Sequence, residues 1–307
     1  MAWQWDAPTG TYRNHTLSEK IREAAAAEAL FSQFVSPEPG YGKMRGEAVT
    51  ITRFSQLPLA SRVSETQRLP EGRPAISTKT VTVSEWGYKS PMTELEELLS
   101  AYDVRSKIQR MLKTQMRLTM DKMVADALKT TPIKVVNVAG TPGFASNGTP
   151  SGTTDTNVTV VLLRSIRDYL AGTLKAPPYK NGNYVGILST KAARGVKNDT
   201  EYRNWLSPTQ SAPFTNGRMV DVEGITLFET NHFNALSNAM GAGGVAGEAL
   251  FFGDDGGFLA TVLDPELRIG LSEDLGRFRE IGWYGVLEAG LTWDTAAESR
   301  VVHFTSL

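Results

Sequence analysis

Two stretches decide the reading of this chain: Gly46-Glu47-Ala48-Val49-Thr50-Ile51-Thr52-Arg53-Phe54 and Thr78-Lys79-Thr80-Val81-Thr82-Val83-Ser84-Glu85-Trp86. Each alternates apolar or β-branched residues with polar ones, the period of a half-buried strand. Between them, Leu57 to Ile76 is punctuated by Pro58, Pro70, Gly72 and Pro74, and it carries Arg62, Glu65, Arg68, Glu71 and Arg73. The pattern predicts a long two-stranded arm with a polar tip. An isolated ribbon is marginal in water because nothing buries its apolar face. Either a neighbouring molecule supplies the second layer or the ribbon folds back on its own domain, and alternation alone does not choose.

On the N-terminal side, Thr16-Leu17-Ser18-Glu19 is a capping box opening a helix with Ile21, Ala24, Ala25, Leu30 and Phe31. Ser36-Pro37-Glu38-Pro39-Gly40 ends it. Trp3, Trp5 and Tyr12 precede it without periodicity, and rings of that size in an arm are expected to dock on something. On the C-terminal side, Thr93-Glu94-Leu95-Glu96 is a second capping box for a short helix to about Ala101. Asp103 then caps a long helix to about Lys129, striped with Val104, Ile108, Met111, Leu112, Met116, Met120, Met123, Val124 and Leu128. At about 1.5 Å per residue this rod is roughly 40 Å long. Its methionines are read as core packing.

Further along, a strand is expected at Ile133 to Val138, a surface loop at Gly140 to Thr156 and a helix at about Val158 to Ala171. A buried strand follows at Tyr184 to Ser189, with a short helix from Thr190. Strands are expected at Gly224 to Thr230, Glu248 to Phe252, Phe258 to Leu263, Ile281 to Trp293 and Arg300 to Thr305. Strands and helices are mixed without regular alternation, an α+β chain.

Composition narrows function. The 307 residues carry 32 basic and 33 acidic side chains, a net charge of -1, which argues against a protein that wraps nucleic acid through phosphate contacts. Zero cysteines remove disulfides, thiolate catalysis and Cys-ligated zinc. No apolar run of membrane-spanning length occurs, and Met1 to Gly10 has no signal-peptide pattern. The three histidines, His15, His232 and His303, are scattered and outside any metal-ligand spacing. His303 lies in an alternating strand and is read as a packed or surface residue. Gly241 to Ala246 fits a loose dinucleotide fingerprint but lacks the strand before and the helix after. Gly253-Asp254-Asp255-Gly256-Gly257 is read as a hairpin turn rather than a calcium loop. No catalytic residues, cofactor or metal ligands are expected. The alternative from another class is a soluble α/β enzyme using Asp254, Asp255 and His232.

The order of arm, ribbon, long helix, mixed region and closing strands resembles the major capsid protein of tailed bacteriophages, the Hong Kong 97-like fold. Local resemblances are Gly46 to Ile51, Glu85-Trp86-Gly87, Ser189-Thr190-Lys191, Gly224 to Thr230, Gly253 to Gly257 and Gly282-Trp283-Tyr284-Gly285. The resemblance implies an N-terminal arm with a helix (1–45), an E-loop hairpin (46–88) and a P domain with a long spine helix (89–157 and 264–307). It also implies a mixed α/β A domain (158–263). It implies self-assembly into hexamers and pentamers of an icosahedral shell around double-stranded DNA, with the E-loop lying over a neighbour. Inter-subunit contacts are then expected at Trp3, Trp5, Tyr12, Arg62, Glu65, Arg68, Glu71 and Arg73. Expected partners are a separate scaffolding protein, a portal, decoration proteins and packaged DNA held without sequence specificity, with assembly in the host cytoplasm and no membrane. The scaffold is expected because about 45 residues before the ribbon are too few for a fused one, Met1 to Tyr41 staying in the shell as a tie. Some relatives crosslink E-loop lysines, for which Lys79 and Lys89 are available. An encapsulin-like cargo shell is the alternative within the fold.

Overall fold

A computed structural model describes residues 27–39, 48–65, 68–100, 103–179, 182–205, 221–271, 274 and 277–307. Trp3, Trp5, Tyr12 and the first capping box lie outside the described residues. The described strands form three sheets. A two-stranded ribbon pairs β2 (Ala48–Phe54) with β3 (Ile76–Thr82) antiparallel, Val49 opposite Val81 and Phe54 opposite Ile76. A four-stranded sheet has the order β1 (Ser36–Pro39), β10 (Gly257–Ile269), β11 (Phe278–Leu291), β4 (Ser84–Thr93). A six-stranded mixed sheet runs β6 (Thr141–Ala145), β5 (Lys134–Val138), β12 (Val301–Phe304), β9 (Ala249–Phe252), β7 (Tyr184–Ser189), β8 (Ile225–Thr230). Its strands come from the 89–157, 158–263 and 264–307 segments alike.

Both faces of the six-stranded sheet are covered, so β7, β9 and β12 are buried along their whole length. On one face, α3 (Val160–Asp168) and α4 (Thr190–Asn198) bring Leu162, Leu163, Ile166, Ala192 and Val196 against Leu188, Phe251 and Phe304. The alternate residues Val185, Ile187, Leu250, Phe252 and Val301 meet Met123, Val124 and Leu128 of α2 (Val104–Lys129), with Leu287 and Leu291 of β11 in the same cluster. The C-terminal half of α2 is thus the shared layer between the two larger sheets. Its N-terminal half packs only on one side, where Leu112 meets Met92, Ile281 and Trp283. That is why Met111 is 63% exposed and the methionine stripe is core only in part.

Caps follow the sequence closely. Asp103 Oδ1 accepts from Ser106 N at 3.1 Å, starting α2 where the expected cap stands. The Thr93 and Glu96 side chains reciprocally satisfy backbone donors of α1 (Glu94–Leu99). The last described α-helix, α5 (Thr200–Trp205), follows α4 directly.

Four expectations are corrected. The run read as one strand from Thr78 to Trp86 breaks at Val83, β3 belonging to the ribbon and β4 to the four-stranded sheet. The stretch Gly140 to Thr156 contains β6, which pairs antiparallel with β5 around a turn where Ala139 and Gly140 both take positive φ. The helix expected to reach Ala171 is α-helical only to Asp168 and continues as a π-helical turn over Tyr169–Thr173. Asp254 and Asp255 sit in a turn, but it is not a hairpin turn: β9 pairs with β7 and β12, whereas β10 pairs with β1 and β11. The turn carries the chain from one sheet to the other, and Asp255 holds the φ of +54° that this change of direction requires.

Candidate assembly interface

The ribbon presents two different faces. Val49, Ile51 and Arg53 point inward, and Val49 is buried with Phe258 and Ala260 of β10. Arg53 extends into the body of the chain, donating through Nη1 to Thr292 O at 3.0 Å and to Asp294 Oδ1 at 2.6 Å. Lys79 of β3 reaches the other Asp294 oxygen at 3.0 Å. Burial acts to raise the Asp294 pKa, but the hydrogen bonds from Arg53 and Lys79 outweigh it and hold the carboxyl below its ordinary value. The base of the ribbon is therefore pinned to its own chain, one of the two arrangements left open by its alternation.

The outer face and the tip are not covered within the chain. Residues 55–75 form no regular structure where described, and Leu57, Leu59, Leu69 and Ile76 are 51 to 95% exposed. Arg62, Glu65, Arg68, Glu71 and Arg73 are all exposed on the same excursion. A second exposed apolar group is formed by Leu95, Leu98 and Leu99 of α1, with Ile269, Leu271 and Phe278 around the β10 to β11 connection. Glu94 N donates to Arg277 O, tying α1 to that connection. Patches of this kind on a chain are the ordinary signature of surfaces that meet other molecules.

A cleft of about 320 Å³ lies where the ribbon base meets β1 and the turn at Asp255, lined by Glu38, Ile51, Arg53, Phe54, Phe258 and Trp293 among others. The Trp293 ring is flanked by two guanidiniums, Arg300 at 4.5 Å and Arg53 at 5.8 Å. Asp255 accepts from Trp293 Nε1 at 3.2 Å and pairs with Arg300 at 3.3 Å.

The residues of the enzyme alternative do not assemble. His232 is buried against Asp121, Nδ1 to Oδ2 at 3.1 Å, while Asp255 engages Thr292, Trp293 and Arg300, and the two sets share no partner. Asp254 is exposed and its backbone bonds to Pro177 O and Arg300. Among the described residues, no group of three His, Asp or Glu side chains is placed to hold a metal ion.

Two buried polar clusters were beyond sequence reasoning. Asp121 Oδ1 accepts from Phe31 N at 2.6 Å and Ser32 N at 3.3 Å, so the Asp121–His232 pair holds the chain entering β1 against α2. Asn231 Oδ1 accepts from Glu28 N beside it. The other cluster joins His303, Glu248, Lys134 and Lys129 where α2 meets the six-stranded sheet. The partners are separated by up to about two hundred residues, and neither periodicity nor motif spacing carries a signal for them.

No model of a known protein family matches the chain, and no curated protein matches its sequence. Solved structures do match its fold. The cyanophage Pam1 capsid asymmetric unit superposes with a TM-score of 0.73 at 16% identity, covering 100% of this chain and 99% of that one. The capsid of Ralstonia phage GP4 gives 0.70 at 12% identity, covering 97% and 96%. The capsid of cyanophage P-SCSP1u gives 0.67 at 12%, covering 96% and 93%. The likeness extends over essentially the full length in both directions, and the chain therefore has the mixed helix and sheet fold of bacteriophage capsid structures.

Proposed function

We propose that this chain is the major capsid protein of a tailed bacteriophage, self-assembling as hexamers and pentamers into an icosahedral shell around double-stranded DNA. The observation that carries this reading is an extended ribbon whose tip leaves Leu57, Leu59, Leu69 and Ile76 uncovered, on a chain with a capsid fold from end to end. In this reading residues 46–88 are the E-loop and α2 is the spine helix of a P domain made from 89–157 and 264–307. Residues 158–263 are the A domain and 1–45 an arm tying subunits together. The tip covers its leucines on a neighbouring subunit. Removing each large apolar side chain from water contributes about 1.5–3 kcal/mol, offset in part by the ordering of the loop. Arg62, Glu65, Arg68, Glu71 and Arg73 form the polar rim that selects the register of that contact. Many modest contacts repeated around each subunit then hold the shell.

A separate scaffolding protein guides curvature, and portal and decoration proteins complete the particle in the host cytoplasm. The DNA inside is held without sequence specificity, consistent with a net charge of -1. The role is structural rather than enzymatic.

The test replaces Leu57 to Ile76 by a short turn and examines both forms by sedimentation and negative-stain microscopy, with and without a co-expressed scaffold. The full chain alone is expected to give tubes, mixed sizes or free capsomers, and the shortened chain a folded subunit that forms no shells. Shells of normal stability from the shortened chain overturn the ribbon's role. A full chain that stays a discrete monomer under every condition overturns the capsid reading. Uniform shells without a scaffold move the assignment to an encapsulin-like compartment.

A further inference from the structure

Four ionisable side chains meet inside the fold, three of them buried and the fourth, Lys129, partly exposed at the end of α2. His303 on β12 is 5% exposed, Glu248 just ahead of β9 is 7% and Lys134 at the start of β5 is 9%. Lys134 Nζ lies 3.0 Å from His303 Nδ1, and His303 Nε2 lies 2.6 Å from Glu248 Oε1. An ammonium can only donate, so Nδ1 is the acceptor and the ring proton stands on Nε2, where it is donated to the carboxylate. Glu248 Oε2 is held from the far side by Lys129 Nζ at 2.9 Å and Ser237 N at 2.6 Å. Lys134 Nζ also donates to the carbonyl of Lys129, the last residue of α2. The His303 amide itself is used by Ile133 O. The quartet therefore bolts together the end of α2, β5, β12 and the 237–248 loop.

We propose that this quartet is a proton-operated joint, locked while His303 is neutral and released when His303 takes up a second ring proton. The reason is directional. A proton on Nδ1 turns the ring acceptor that faces Lys134 into a donor and places two positive groups about 3 Å apart in a largely buried site. The charged groups that face the ring are Lys134 from β5, Lys129 from α2 and Glu248 from the approach to β9, two cations against one anion. Burial pushes the imidazole below its ordinary value of 6.5; the Glu248 hydrogen bond opposes this, and both lysines add to it. Burial also lowers the Lys134 pKa, with Glu248 opposing and Lys129 adding to the shift. Burial acts to raise Glu248, but the bond from His303, the charge of Lys129 and the Ser237 amide hold it below its ordinary value.

The sign follows from linkage. A histidine depressed in the folded state binds its proton more readily when unfolded, so the stability it permits is complete above pH 6.5 and falls as the pH drops below it. The folding equilibrium constant loses up to about tenfold per pH unit in that range from this one proton. The device works within a single subunit and does not rest on the capsid reading.

Two measurements test it on the full chain. Magic-angle-spinning NMR, which reads free and assembled chains alike, is expected to show His303 at pH 7 with Nδ1 unprotonated and Nε2 protonated. Assignment uses the His15→Gln and His232→Gln variants. A protonated Nδ1 overturns the proposal. The second measurement compares denaturant unfolding of the wild type and Lys134→Met between pH 7.5 and 5. Methionine keeps the packing and removes the opposing charge, so His303 can charge beside Glu248. The ratio of the two folding constants is expected to shift at least tenfold towards the variant as the pH falls. A ratio constant with pH means that Lys134 only fills space, and the joint is refuted.

Discussion

Replacing Asp121 by alanine is expected to free the N-terminal segment from the body of the subunit. Asp121 is fully buried near the end of α2, and its carboxylate accepts three hydrogen bonds: Phe31 N at 2.6 Å, Ser32 N at 3.3 Å and His232 Nδ1 at 3.1 Å. Truncation strands all three donors in a region where Phe31 itself is 0% exposed, packed in the cluster with Val124 and Leu128. An unsatisfied buried donor costs about 1–3 kcal/mol. Water entering the vacated volume recovers part of that, which leaves an expected loss of roughly 3–5 kcal/mol for three stranded donors. Asp121→Asn keeps one carbonyl oxygen for the Phe31 and Ser32 amides, and its NH2 can face His232 in the tautomer that accepts, so its loss is expected near 1–2 kcal/mol. Urea unfolding of dissociated subunits gives the two totals. Hydrogen exchange of peptides spanning 28–36 shows where the loss falls, and faster exchange at Phe31 and Ser32 is expected in Asp121→Ala before any change in β7 or β9. A loss below about 1 kcal/mol with unchanged exchange at those amides refutes the argument that this carboxylate holds the segment.

Two further predictions concern turns. Changing Asp254 and Asp255 together to Asn is expected to leave assembly intact and lower stability by only about 1 kcal/mol, because asparagine tolerates the left-handed backbone at 255 while the Arg300 pair weakens; carboxylate-ligated divalent ion at this turn, detected by calorimetry, contradicts it. Gly241 has a φ of +78°, and a Cβ there would stand 2.1 Å from Thr154 O. Gly241→Ala is therefore expected to cost roughly 2–4 kcal/mol in thermal unfolding, against about 1–2 kcal/mol for Gly140→Ser, where the same positive φ meets open space and only backbone strain is added.

The elements most legible in the sequence were those whose signal is local. α2 runs from the Asp103 cap to Lys129 because a cap and a 3.6-residue stripe are both written within the segment. β7 at Tyr184 to Ser189 is read from a short apolar run between polar flanks. What could not be read depends on the partner. Ser36-Pro37-Glu38-Pro39 is a helix stop by composition, yet it forms β1 because β10 offers it a parallel edge. Thr141-Pro142-Gly143-Phe144 looks like a loop and pairs as β6, Phe144 stacking on Tyr169 at 4.3 Å. β10 continues through Asp264 and Pro265 to Ile269, past the point where its apolar pattern ends, because β11 is alongside. The ribbon tip was legible as a candidate contact surface, since proline, glycine and charge mark an excursion that has nothing of its own to pack on. His303 was read as packed or surface-lying and proved to be the centre of a buried network, because its partners Lys134 and Glu248 are 169 and 55 residues away.

The break at Val83 has a mechanical meaning. From Ile76 to Thr93 the chain is extended almost without interruption, roughly 60 Å at about 3.3 Å per residue, with one end in the ribbon and the other in the four-stranded sheet. Tension applied at the tip and directed along this strut arrives at β4, which is paired with β11 over ten consecutive positions from Leu287–Ser84 to Phe278–Thr93. Those rungs are loaded together in shear rather than peeled one after another, so no single hydrogen bond bears the force. Thr93 at the far end is also the cap of α1, and Trp283 in the middle of β11 is bonded to Gln115 of α2 at 2.6 Å. A strain on the ribbon is thus delivered to the long helix by covalent chain and a sheared ladder, which makes the ribbon a lever on the body of the chain.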